Sequence, residues 1–502
     1  MVPRLLALSL AICSLTPFAA PQDDSIEPAV GVALDRISAD SLRGHLSFIA
    51  SDMLGGRDTP SPGLDIAAEY IAAQFRRAGL EPVGDQGYFQ IADYQTIGPE
   101  PKRCELSVTL NGESHTIAAD RCSEQPTTDL DWRALPLVRL AVNDVENIEG
   151  ELAEKIEGAV VVIDGPASDR GSRFRFFRVR RGLLARLTEL KPAGVVFASP
   201  GDPGSQDSRS RLRAPEADGP AILTVHDPAL LAWHEKTSSG LTDATISLAF
   251  EPDATPVPLK NVVGLLRGSD PELSKTYVLV TAHYDHIGTR ADGDGDRIAN
   301  GANDDGSGTV SVMELARVLG AMQPRPKRSL VFMTLFGEEK GLLGSRYYGA
   351  HPIFPIEDTV ANVNLEHMGR TDDNEGPQIK RATMTGFDYS DVGTIFQKAG
   401  EATGIEVYKH EANSDSFFSR SDNQALADLG VPSHTVCVSF IFPDYHGVGD
   451  HWDKVDYDNL ASVLHAVGLT LVRIANDPRA PKWNRDNPRA RRYVEAWDAM
   501  HK

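Results

Sequence analysis

Five places in the chain set imidazole or carboxylate groups directly after, or directly before, a short apolar run. "TYVLVTAHYD" ends in His283 and Asp285, "SLVFMTLFGEE" ends in Glu338 and Glu339, and "TVANVNLE" ends in Glu366. "GANDDGSG" sets Asp304 just ahead of a helical run, and "FPDYHGVGDHWD" brings His446 after the apolar "HTVCVSF". Any one of these alone is ordinarily a solvated loop residue. Together they carry chemistry. Carboxylates gathered at one edge repel unless cations neutralise them, and His with Asp or Glu is the ligand set of zinc. Two imidazoles and three carboxylates suit two ions that share one bridging carboxylate. A two-metal site activates water and stabilises both the attacking and the leaving group.

The elements around these residues explain how they would meet. The runs ending in His283, Glu338 and Glu366 are near-continuously apolar, as expected of strands buried on both faces of a parallel sheet. "SGTVSVMELARVLGAM" has Val312, Leu315, Ala316, Leu319 and Met322 on one helical face, and residues 61–79 repeat the pattern up to Gly79. Strand alternating with helix predicts an α/β fold, with a mixed, largely parallel sheet flanked by helices. In such sheets, sites form outside the carboxyl ends of the strands.

The strings "GRDTPSPGLDIAAEYIAAQFRRAGL", "NVVGLL", "AHYDHIG", "NGANDDGSGT", "LFGEEKGLLGS", "NLEHMGR" and "DYHGVGDHWDKVD" occur in that order. In them the chain resembles the co-catalytic two-zinc aminopeptidases, in the form that carries a protease-associated domain insertion. The resemblance implies the zinc-exopeptidase fold and two zinc ions per chain. One would be held by His283, Asp304 and Glu366, the other by Asp304, Glu339 and His446, with Asp304 as the bridge. It further implies Glu338 as general base and Asp285 as the group that orients His283. Glu366 stands where many relatives have Asp. Asn423, in "SRSDNQALADLGVP", stands where a pocket His is common. His286 and His367 lie beside ligand positions and are expected to support or line the site.

Length and composition bound the rest. A chain of 502 residues is long for one core. The reading gives an export signal at 1–20, an N-terminal part of the catalytic domain at 30–123 and an inserted smaller α/β protease-associated domain at 124–255. The catalytic di-zinc domain follows at 256–476, with a polar tail at 477–502. Arg4, the apolar Leu5–Leu15 run and Ala19-Ala20 mark the export signal, so the mature protein is expected to be exported, periplasmic or extracellular. No later stretch is long and apolar enough to span a bilayer. Fifty basic against 71 acidic side chains give a net charge of −21, which argues against nucleic acid as a partner. Peptides are the expected substrates.

Cys104 and Cys122 flank an Asn111-Gly112 hairpin signal and are candidates to pair, whereas Cys437 reads as a core thiol. "DGDGD" at 292–296 fails as a calcium loop, because Arg297 and Asn303 stand where Gly and Glu are needed. "HEKTS" and "HEANS" lack the second His of a zincin helix. No G-x-S-x-G elbow and no P-loop occur. The rival readings are a single-zinc glutaminyl-cyclase-like transferase and a non-catalytic receptor on a peptidase scaffold. Zinc per chain separates the first, and an aminoacyl-chromogen assay the second.

Overall fold

The computed structural model describes residues 26–142, 144, 148–165, 180, 182–201, 211–214 and 219–502. The export signal at 1–20 and part of the arginine-rich stretch 172–190 lie outside them. The chain divides into two compact units, one up to Gln90 together with Lys260–Lys502, the other Ile91–Leu259. The second unit thus begins well before residue 124. Its early strand Arg103–Leu110 pairs antiparallel with Gly240–Glu251, so both belong to one sheet. Alternating patterns of this kind look alike in sequence whichever sheet they join.

The first unit is built on strands β1 (Ala254–Leu266, of which the part from Lys260 on lies in this unit), β2 (Tyr277–His283), β3 (Ser329–Leu335), β4 (Thr359–Leu365), β5 (Arg381–Met384), β6 (Glu406–Val407) and β7 (Ser433–Cys437). Their order is β6-β5-β7-β4-β2-β3-β1. The central pairs β3–β2, β2–β4 and β4–β7 are parallel, and β1 and β5 join antiparallel. Nearly every residue of β2, β3, β4 and β7 is buried; β2 and β3 are largely apolar without alternation, whereas β4 and β7 also bury polar side chains such as Asn362, Asn364 and His434.

Helices cover the sheet: α1 (Ala39–Ile49), α2 (Pro62–Arg77), α3 (Ser307–Gly320), α4 (Leu343–Ala350), α5 (Tyr457–Asn476) and α6 (Arg491–Met500). Helix α2 starts where the Ser61 hydroxyl accepts the Leu64 N–H, and it buries Leu64, Ile71 and Phe75. Each such side chain contributes roughly 1.5–3 kcal/mol. Helix α3 packs on β2, β3 and β4 and is buried along almost its whole length. A Cβ on Gly308 would sit 2.1 Å from the Leu365 carbonyl oxygen, so only glycine lets its first turn approach the end of β4. The tail is less superficial than its polar composition predicts. Trp483 and Tyr493 are buried with Tyr389 and Phe418, and the Trp483 indole donates to the Gly430 carbonyl at 2.7 Å.

The second unit carries an eight-stranded mixed sheet, in the order 113–117, 103–110, 240–251, 130–140, 160–164, 194–198, 221–225, 122–124. Asn111 and Gly112 take φ of 52° and 82°, the left-handed pair that a tight hairpin needs. Apolar clusters line both faces of this sheet, one around Trp132 and Phe250, the other around Ile163 and Phe197. The side chains of Cys104 and Cys122 are in hydrogen-bond contact at the edge of the first cluster.

Candidate metal centre

The carboxyl ends of the parallel strands deliver the polar groups. His283 is the last residue of β2, and its carbonyl accepts the Thr309 hydroxyl of α3 at 2.7 Å. Two residues on, Asp285 Oδ1 lies 3.5 Å from His283 Nδ1 and accepts the Glu338 backbone N–H at 3.0 Å. Its Oδ2 accepts the Thr59 hydroxyl at 3.1 Å. After β3 the chain turns at Gly337, with φ of 67°, and a short 3-10 turn presents Glu338 and Glu339. Glu366 and His367 follow β4 directly.

Asp304 reaches the centre from the loop 302–306 that feeds α3. The loop is fixed on several sides. Gly301, at φ of 57°, lies so close to His286 that a Cβ would meet the ring at 2.4 Å. The Asp450 carboxylate accepts the N–H groups of Asn303 and Asp304 at 2.9 and 3.1 Å. Asn303 Oδ1 in turn accepts the N–H groups of Gly369 and Arg370, tying this loop to the chain beyond β4.

All seven residues singled out from the sequence meet here. One donor atom each of His283, Asp304 and Glu366 lies within 4.8 Å of the others, and the same holds for His286, Asp304 and Glu339. His446 meets the second set from the open side, 3.1 Å from Asp304 Oδ2 and 3.4 Å from Glu339 Oε2. Asp304 is common to both sets. His283 Nε2, Asp304 Oδ2, Glu339 Oε1 and Glu366 Oε2 are buried and lack a well-aligned hydrogen bond, although an oppositely charged atom lies 3.4, 3.1 and 2.9 Å from the first three. Polar atoms left bare in an interior cost free energy unless something binds them. These orphans converge, and together they fit divalent cations bound through nitrogen and oxygen.

The electrostatics say the same. Burial disfavours an imidazolium at His283, but hydrogen bonds to Asp285 and Asp304 outweigh it and raise the ring well above its usual pKa. Hydrogen bonds to Asp304 and Glu339 push His446 up to about 10. Burial and Asp304 oppose ionisation of Glu339, yet His286 and His446 hold it down at about 2. Without metal, then, the carboxylates demand protons on the imidazoles. Divalent cations held by these groups would supply the same charge in place of those protons. Glu338 differs, because desolvation raises its carboxyl well above the usual range and Glu366 and Asp422 add to the shift.

Arg57 escapes a reading of sequence, and His286, given at most a supporting or pocket role there, stands within the second donor set itself. His286 Nδ1 is 2.9 Å from Glu339 Oε1, closer to that carboxylate than His446 is. His367 Nε2 is 3.6 Å from Asp304 Oδ1, and His367 and His446 both take positive φ, a strained backbone for non-glycine residues. Arg57 is fully buried and donates to the carbonyls of Ile49, Tyr284, Asn300 and Gly301 at 2.7–2.9 Å. Asn423 turns into the core, where its carbonyl accepts the Thr435 hydroxyl, and its neighbours Ser419, Arg420 and Ser421 line the pocket instead. The pocket is a cavity of about 390 Å³ opening onto the cluster.

Residues 261–471, which hold every one of these ligand candidates, match the profile of Peptidase family M28. The match thus falls on the site-bearing segment. A vacuolar membrane protease of Aspergillus clavatus is 30% identical over 215 residues, covering 42% of this chain and 20% of that protein. A "Probable zinc metalloprotease" of Leptosphaeria maculans is 45% identical over 92 residues, 18% of this chain and 20% of its own length. The chain thus spans about a fifth of these curated relatives. Among solved structures, an aminopeptidase from Aneurinibacillus sp. strain AM-1 is similar at a TM-score of 0.49 and 19% identity, covering 90% of this chain and 97% of that one. The zinc aminopeptidase of Bacillus subtilis is similar at 0.46 and 17%, covering 90% and 97%. Among the described residues, no helix is long and apolar enough to cross a membrane.

Proposed function

We propose that the site-bearing segment belongs to an exported aminopeptidase of family M28, which hydrolyses the N-terminal peptide bond of peptides with two zinc ions per chain. The observation that carries the reading is the pair of His and carboxylate sets sharing Asp304, with Glu338 on the wall of the same pocket. His283, Asp304 and Glu366 would hold one ion, and Asp304, Glu339 and His446 the other. When bound, the zinc pair supplies Lewis-acid polarisation of a carbonyl and lowers the pKa of water to about 7. Glu338, on the pocket wall beside the cluster, takes the proton of the attacking water and delivers it to the leaving amine. Asp285 holds His283 Nδ1 and the Glu338 backbone at once, so that Nε2 points to Asp304 and would be available to a metal, and the base keeps its register. The acidic walls favour the free α-amine of a substrate. Export rests on the character of residues 1–20.

The test is zinc content by mass spectrometry, with hydrolysis of leucine p-nitroanilide and of its N-acetylated analogue. Two zinc ions per chain and hydrolysis of the free-amine substrate alone, abolished by chelator and restored by zinc, are expected. Glu338→Gln should keep both metals and lose about 10²–10⁴-fold in turnover. Normal turnover in that variant removes Glu338 as the base. Equal cleavage of the blocked substrate overturns the aminopeptidase reading, and one zinc per chain favours the cyclase-like chemistry.

A further inference from the structure

The pocket that opens onto the acidic cluster also carries two cations, Arg346 on α4 and Arg420. Among the described residues neither guanidinium has a carboxylate partner, in a pocket otherwise rich in acidic groups. Both are exposed, so nothing in the fold itself requires their charge. Arg420 is nonetheless held in place. Its guanidinium lies 4.3 Å over the ring of Phe417, whose ring is 5.0 Å from that of Phe440, and both rings line the pocket. Its charge reaches the cluster, since it partly offsets the upward push of burial and carboxylates on the Tyr445 hydroxyl, and Tyr445 stacks on His446 at 4.1 Å.

The cavity lining therefore carries both signs of charge: the carboxylates and imidazoles of the cluster, and two guanidinium groups that have no carboxylate partner among the described residues. A peptide that places its amine and scissile carbonyl at the cluster has its leaving residue in the same cavity, where a guanidinium is the group available to meet a carboxylate. We infer that Arg346 and Arg420 bind a carboxylate on the leaving side of the scissile bond, which selects short peptides with a free C-terminus or an acidic second residue. The inference rests on the aminopeptidase reading for the direction in which the peptide lies. A volume of about 390 Å³ is near the small end of ligand sites, which agrees with a short substrate. Guanidinium with carboxylate is the strong, fork-shaped pairing that gives such discrimination.

Four dipeptides test it with the zinc-loaded full chain: Leu-Gln, Leu-Glu, Leu-Gln-amide and Leu-Glu-amide. Wild type should favour a carboxylate-bearing peptide over Leu-Gln-amide by about tenfold or more in kcat/KM, mainly through KM, because a charge-assisted hydrogen bond is worth that much. Preference for Leu-Gln over its amide identifies the terminal carboxylate, and preference for Leu-Glu-amide over Leu-Gln-amide identifies the side chain. Arg346→Gln and Arg420→Gln should each narrow the ratio, the double variant should bring it to about one, and Arg420→Lys should restore part of it. An equal rate on all four peptides in wild type, or an undiminished ratio in the double variant, overturns the inference. Calorimetric binding of the four peptides to zinc-loaded Glu338→Gln separates this outcome from the peptidase reading. Ranked binding without wild-type hydrolysis overturns the peptidase reading alone, hydrolysis without ranking overturns this inference alone, and neither binding nor hydrolysis overturns both.

Discussion

At the scale of single residues, Arg57 shows how a side chain that never touches substrate sets up a site. Its guanidinium satisfies carbonyls from the end of α1, from the segment after β2 and from the loop before Asp304. Burial lowers its pKa to about 10, and Asp285 and Asp450 oppose that shift, so it stays charged at neutral pH. Removing it takes a donor from four buried carbonyl groups, of which only Gly301 is seen to keep another, the Gly306 N–H at 3.0 Å. Arg57→Met should therefore cost about 3–5 kcal/mol, the usual penalty for breaking a buried charged network. Urea unfolding of the zinc-free protein measures this, and a loss below about 1 kcal/mol would refute the role. The side chain was invisible in "GGRDTP" because two of its partners lie 227 and 243 residues along the chain.

At the scale of elements, the loop 302–306 and its anchor Asp450 decide how well Asp304 is presented. Asp450 binds no candidate metal atom, yet it receives the N–H groups of Asn303 and Asp304, and Ala302 donates to its backbone carbonyl at 3.1 Å. Asp450→Ala should leave zinc stoichiometry intact at saturation while weakening zinc affinity 10–100-fold, as loss of outer hydrogen-bond partners does at other metal sites. Competition with a chromogenic chelator reads the affinity, and an unchanged value would remove Asp450 from the positioning of the loop. The same elements show what the sequence makes legible. Strands β2 and β3 announce themselves because burial on both faces demands unbroken apolar runs, and the polar residues that follow them stand out by contrast. Asp450, Asn303 and His286 carry no such contrast, since their roles are defined by partners from other loops. The start of the second unit at Ile91 was hidden for a related reason. The Arg103–Leu110 strand and its hairpin mate satisfy the same alternation in either sheet, and only pairing with Gly240–Glu251 settles which.

At the scale of the whole molecule, His434 couples the central sheet to the C-terminal tail. It lies in β7, fully buried, with Nδ1 donating to the Thr385 carbonyl at 2.9 Å and Nε2 accepting the Ser390 hydroxyl at 2.6 Å. Its ring is 5.6 Å from that of Trp483, the residue by which the tail is buried. Desolvation lowers its pKa from 6.5 to about 4, only partly opposed by the Thr385 carbonyl. Between those two values the unfolded chain binds a proton that the folded chain refuses. Stability from the neutral ring is thus complete above about pH 6.5 and is lost as pH falls toward 4. Wild type should lose about 2 kcal/mol from this group between about pH 7 and pH 5. His434→Gln should be less stable at neutral pH but should lack that part of the acid dependence, because an amide does not titrate. Urea midpoints of the chelated protein at the two pH values, compared between wild type and variant, isolate the contribution and cancel the metal-site groups common to both. Parallel pH dependence in the two proteins would mean that the acid sensitivity of this unit arises elsewhere, and that the tail is anchored independently of the histidine's charge.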